Sequence, residues 1–210
     1  SVEGVTLPIS GRMIALPPAG EPQINRPRLM SGRRLEPTRR DEALVNQAFA
    51  AANGLKPGDS VSAVLNGRRQ SFQIAGTFVS PEYVFANGPG EALPDDRRFG
   101  VFYVAHDVLA YAFDMQGAFN DVALIASPGA NLRAIEASLD LLLDRWGGLI
   151  AHDRSLQQSH RFLQDELKQQ GTMAATIPPI FLFVSAFLLH VVLGRLVATQ
   201  REQIATLKAL

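Results

Sequence analysis

The side chains able to do chemistry are few, and their spacing argues against catalysis. There is no cysteine, so thiolate nucleophiles, disulfides and thiolate metal sites are all excluded. The four histidines, His106, His152, His160 and His190, stand at no ligand spacing with acidic residues, which predicts packing or surface roles for them. No Gly-x-x-x-x-Gly-Lys-Ser/Thr loop is present to cradle a triphosphate, and neither a Gly-x-Ser-x-Gly elbow nor a His-Glu-x-x-His pair occurs. The chain is therefore expected to be no enzyme, to need no cofactor or metal, and not to hydrolyse ATP itself. Two acids are followed by two arginines within residues 94–100 (PDDRRFG), the pattern of a loop held by local ion pairs.

Charge offers one sharper feature. Six arginines, Arg26, Arg28, Arg33, Arg34, Arg39 and Arg40, stand against a single acid, Glu36, over residues 26–40, although the whole chain balances 20 basic against 20 acidic residues. Arg26, Arg28, Arg33 and Arg34 are candidate contacts for lipid headgroups or an anionic partner, and a solvated loop is the plainer reading. Nucleic acid is not expected as a partner, because net charge is zero and no aromatic residues interleave with the arginines.

The elements that would position these residues read as follows. Two short extended segments occupy residues 2–16, broken at Pro8, Ser10 and Gly11, and residues 17–40 are too rich in proline for regular structure. Residues 42–46 form a strand and 47–53 a helix closed by Gly54. Residues 60–65 and 68–79 make a hairpin around Asn66-Gly67, the favoured two-residue turn. A long Pro, Gly and Asp loop over 81–98 follows. Strands are predicted at 99–105 and 119–127, helices at 106–115 and 132–146, and a last edge strand at 149–151. Strands interleaved with helices give an α+β class with a mixed sheet.

Residues 173–193 (MAATIPPIFLFVSAFLLHVVL) change the nature of the chain. Positions 169–194 carry no Asp, Glu, Lys or Arg. A helix over 173–193 would be about 31 Å long, matching a bilayer core of about 30 Å. His190 lies near the end of this run, where it can reach the interface. Pro178 and Pro179 predict that the helix bends or begins near Ile177, and Gly171 is a further hinge candidate. Four regions result: 1–152 a folded domain, 153–172 a stalk helix, 173–196 a transmembrane helix, and 197–210 the start of another helix. Lys and Arg beside the membrane run are tied, with Arg154, Arg161 and Lys168 before it and Arg195, Arg201 and Lys208 after it, so charge sets no orientation.

These pieces resemble the permease subunits of the MacB and FtsX superfamily of ABC transporters. The resemblance is strongest where the apolar run passes Arg195-Leu196-Val197 and continues as QREQIATLKAL over 200–210, similar to that family's cytoplasmic signature after its second membrane helix. Upstream, Ile24-Asn25, Ser31-Gly32-Arg33, residues 41–45 (DEALV) and Pro57-Gly58-Asp59 are similar to the order of motifs in its extracytoplasmic core domain. Residues 80–83 (SPEY), 94–100 and 117–121 (GAFND) are similar to one bacterial branch. On this resemblance the chain is an excised segment, with a membrane helix before residue 1 and others after residue 210. Residues 1 to about 170 would lie outside a bacterial cytoplasmic membrane as a MacB-like periplasmic core. Its partners would be a cytoplasmic ABC ATPase subunit, a second permease copy or homologous half, and membrane lipid. Arg201, Glu202 and Lys208 would lie near the ATPase contact, and Gly171, Pro178 and Pro179 would serve as bending points between them and the outer domain. A membrane-anchored binding or scaffold protein of the envelope is the alternative.

Overall fold

A computed structural model describes residues 9–18, 21–91 and 93–208. The chain divides by packing into two compact units, Ser1–Arg161 and Phe162–Leu210. The first is α+β with a mixed sheet, and the second belongs to a long apolar helix.

Three strands form the heart of the sheet, where they are buried on both faces along all or half of their length. These are β3 (Glu42–Asn46), β5 (Arg68–Val79) and β6 (Phe99–Val104), and every residue of β3 and β6 is buried. The edge strands are β1 (Ser10–Ala15), β2 (Arg28–Gly32) and β4 (Ser60–Leu65). The order is β1-β6-β3-β5-β2, with β4 also on β5. Parallel pairs (β1 with β6, β3 with β5) and antiparallel pairs (β3 with β6, β2 and β4 with β5) make it mixed. The twelve residues of β5 serve as the spine: β4 and β2 follow one another along one edge of it, and β3 runs along the other.

Helices α1 (Gln47–Ala52) and α2 (His106–Ala112) contribute Phe49 and Val108 to the core on one sheet face, where Phe49 meets Phe102 edge-on with ring centres 5.6 Å apart. On the opposite face Phe78 meets Tyr103 at 4.7 Å, and the cover there is coil bearing Leu16, Leu35, Tyr83 and Ala86. Asn46, at the end of β3, accepts a hydrogen bond from the Val101 amide at 2.8 Å, so this buried polar group is satisfied.

Several expectations hold. The hairpin turns at Asn66 (φ 45°) and Gly67 (φ 77°), the positive pair that the Asn-Gly turn requires. Gly54 follows α1 in the left-handed region at φ 66°. Helix α3 (Leu132–Leu143) begins at Asn131, whose side chain accepts from the Ala134 amide, and a short 3-10 turn carries the chain to Gly147 at φ 72°.

Others require correction. Residues 17–40 are not wholly irregular, because 28–32 pair with β5 as β2. That strand is bulged between Leu29 and Ser31, and it packs so closely that a side chain on Gly76 would meet the Ser31 carbonyl oxygen at 2.5 Å. Residues 119–127 and 149–151 are apolar enough for strands, yet no strand pairs with them among the described residues and they remain coil. A strand is stabilised by its ladder, and apolar content alone does not supply one. The first extended segment expected before residue 9, and residues 209–210, lie outside the described residues.

Helix α4 runs from Gln158 to Thr199 and α5 from Arg201 to Lys208. At 1.5 Å per residue, the 42 residues of α4 extend about 63 Å. It does not begin near Ile177 but passes through Gly171, Ile177, Pro178 and Pro179 as helix. The two prolines leave the carbonyls of Ala174 and Ala175 without their usual donors. The separate helix expected from residue 197 is present as α5, but it starts at Arg201, after a turn at Gln200.

Candidate functional site

The most constructed polar site is a joint where loop 80–86 receives the first turn of α4, all within the first unit. Its parts follow from local chemistry. Ser80 caps a short 3-10 turn (Pro81–Tyr83), accepting from the Glu82 amide at 3.3 Å, with proline at the first helical position where no donor is needed. Asp153 does the same for Arg154–Leu156, accepting from the Ser155 amide at 2.8 Å. The Ser155 hydroxyl and amide hold the Asp153 carboxyl below its ordinary range.

The two turns are then tied together. Gln157 Nε2 donates to the Glu82 carbonyl at 2.9 Å. Ser159, only 1% exposed, donates its hydroxyl to the same carbonyl at 2.7 Å and accepts from the Phe85 amide at 3.1 Å. Tyr83 anchors the loop to the sheet, its ring packed against the Phe78 and Tyr103 cluster with the Arg12 guanidinium 5.8 Å from its centre. Burial, helped by the Glu82 charge, pushes the Tyr83 phenol up, so it stays protonated as a donor to Glu82 Oε1 at 3.3 Å. Asn25 also reaches Glu82, at 3.3 Å. The joint can hold and orient; it offers no nucleophile beside a base.

The arginine cluster is distributed over several partners. Arg33 grips Glu42 with both branches of its guanidinium, one contact at 2.9 Å, and Arg39 reaches the same carboxylate at 2.8 Å. Glu42 is fully buried. The Arg33 hydrogen bond, followed by the charges of Arg33 and Arg39, outweighs desolvation and keeps its carboxyl below the ordinary range. Arg39 also binds Asp41 at 2.8 Å and lowers that carboxyl. Arg34 pairs with Glu21, Arg40 with Asp107 at 3.1 Å, and Arg26 donates to the Pro22 carbonyl at 3.2 Å. Arg28 begins β2, exposed. Arg26, Arg28, Arg33 and Arg34 thus do not converge on one point.

Arg201 and Lys208 are exposed on α5, seven residues apart and so on one face of that helix, with Glu202 about 100° around the axis. Gly171, Pro178 and Pro179 all lie within α4. Among the described residues no three His, Asp or Glu side chains gather where a metal could sit. His106 lies 3.5 Å from Asp107, and His190 is on the exposed surface of α4.

Sequence reasoning missed the joint. The Ser-Pro capping signal at 80–81 was legible, but Ser159 reaches Phe85 across 74 positions, and no local pattern marks a serine for burial over that span. The sequence matches no protein-family model and no curated protein.

Proposed function

We propose that this chain is part of a permease subunit of a MacB/FtsX-type ABC transporter, coupling ATP hydrolysis by a partner ATPase to movement of an outer α+β domain. One observation carries the reading: a single helix, α4, starts in the Ser159 joint and contains, further along, a run of membrane length with mean hydropathy 2.3 and no burial. A helix is stiff along its axis, so displacement at its far end reaches its first turn, and two hydrogen bonds through Ser159 pass it to loop 80–86. Gly171 and the Pro178-Pro179 pair are the places where that helix bends most easily. On this reading α5, with Arg201, Glu202 and Lys208, faces the ATPase in the cytoplasm, and residues 1 to about 170 lie outside the inner membrane of a bacterium. The order of the motifs quoted above and the α+β class of the first unit support it.

A second reading, a membrane-anchored binding protein, is favoured by a covered cleft in the first unit. Purification of the full-length protein from its native membrane separates the two. The transporter reading predicts a copurifying ATPase whose nucleotide hydrolysis depends on this subunit; a preparation without one leaves the anchored binder.

A further inference from the structure

The sheet face opposite α1 and α2 is covered by coil, and between coil and sheet lies a cavity of about 270 Å³. Leu29 and Leu44 rise into its wall from β2 and β3, and Leu35, Pro17, Pro27 and Pro37 close it from the coil. Polar groups stand at its rim: Arg34 with Glu21, and His106 with Asp107.

We propose that this cavity binds a single-chain anionic lipid, with the hydrocarbon tail among the leucines and prolines and the head on Arg34. The lining selects the tail. Proline has no N–H, and a peptide seated against these walls would bury amides with few partners, at a cost that recognition by sheet extension avoids through main-chain hydrogen bonds. A hydrocarbon chain makes no such demand. Size agrees: at about 30 Å³ for each methylene-sized unit, the liquid share of one water molecule, the cavity takes roughly nine units, a medium chain or the end of a longer one.

The rim selects the head. Asp107 is already held by Arg40 at 3.1 Å and lies 3.5 Å from His106, so it adds little free negative charge at the mouth. Arg34 is 63% exposed, and its ion-pair partner Glu21 sits on the same rim. The exposed Arg34 guanidinium has five N–H donors, so a lipid carboxylate can share it with Glu21, taking two of them. A chain with a membrane-length apolar helix also has acyl chains at hand. This inference does not depend on whether the protein transports or only binds.

The test is photolabelling of the chain in amphipol with a medium-chain fatty acid bearing a terminal diazirine, followed by peptide mapping. The label is expected on peptides containing Leu29, Leu35 or Leu44, with label on 173–193 as the internal reference. Leu35→Trp fills the cavity from its half-buried wall and should lower cavity labelling at least about fivefold while leaving the reference unchanged. Arg34→Ala should weaken labelling by the acid and not by its methyl ester. Amide exchange in β3 and β5 reports whether each variant is folded, and Leu29→Phe replaces Leu35→Trp if that one is not. Label confined to 173–193, or cavity label that neither filling variant reduces, overturns the site. A methyl ester that labels as well as the acid overturns the anionic head.

Discussion

Two stretches of this chain have similar apolar content and opposite fates. Phe99–Val104 is buried at every position, in a ladder between β1 and β3. Residues 119–127 read as a strand just as readily, yet Phe119, Leu124 and Ile125 are 67%, 58% and 76% exposed. Helix α3 repeats the contrast against α1: it is amphipathic and has no buried residue, whereas α1 buries Phe49 and Ala50. Beyond it Trp146 and Leu149 are exposed as well. The difference teaches that an apolar pattern specifies a face wanting cover, and that the cover itself is a tertiary fact. In the sheet, α1 and α2 cover one face of β3, β5 and β6, and coil covers the other.

Mutations can break or sharpen this contrast, and the largest effect should come from the core. Phe72→Ala, at a fully buried site, is expected to cost about 4 kcal/mol in urea unfolding followed by circular dichroism. Glu42→Gln comes next at about 2 kcal/mol, because it replaces charge-assisted hydrogen bonds from Arg33 and Arg39 by weaker ones to a neutral amide, while both arginines keep access to water. Its pH signature is distinctive. The folded carboxyl titrates below its unfolded value, so its contribution is complete above the unfolded carboxylate pKa, about 4.3, and is lost as pH falls through the lower folded value. Wild type should therefore lose stability on acidification more steeply than Glu42→Gln; parallel curves would remove the assignment.

Ser159→Ala should cost about 1 kcal/mol, since it removes the hydroxyl that accepts from the Phe85 amide and donates to the Glu82 carbonyl. Amide exchange at Phe85 should rise more than exchange in β6, and equal changes at both sites would show that no local joint exists. Leu149→Ala should cost under about 0.5 kcal/mol, its side chain being 91% exposed. A loss near that of Phe72→Ala would mean that the 119–151 segment is packed after all.

How much was legible in the sequence follows the same division. The hairpin around Asn66-Gly67 could be read because its information is local: two residues with positive φ and alternation on either side. The apolar run over 173–193 could be read from length and absence of charge, and α4 covers it. Strand β2 could not, because Pro27 and the surrounding arginines masked five residues that become a strand only against β5. Nor could the fate of the arginines be read: Arg33 is drawn to Glu42 by burial of a carboxylate that the sequence shows merely as one acid at the start of a strand. Of the two outcomes expected near Ile177, a bend or a start, the start is excluded, because apolar residues continue the helix on both sides of Pro178 and Pro179.

On the proposed transporter function, α4 carries motion between a cytoplasmic ATPase and the outer domain, with α5 as the input. The most direct test of this claim is ATP hydrolysis by the full-length protein and its partner ATPase in lipid, comparing wild type with Arg201→Glu combined with Lys208→Glu. Reversing both charges on one face of α5 should reduce subunit-dependent hydrolysis by about tenfold, the loss of roughly 1.4 kcal/mol of coupling, while the fold reported by amide exchange in β3 and β5 stays unchanged. Subunit-dependent hydrolysis equal to wild type in the double reversal would contradict the claim.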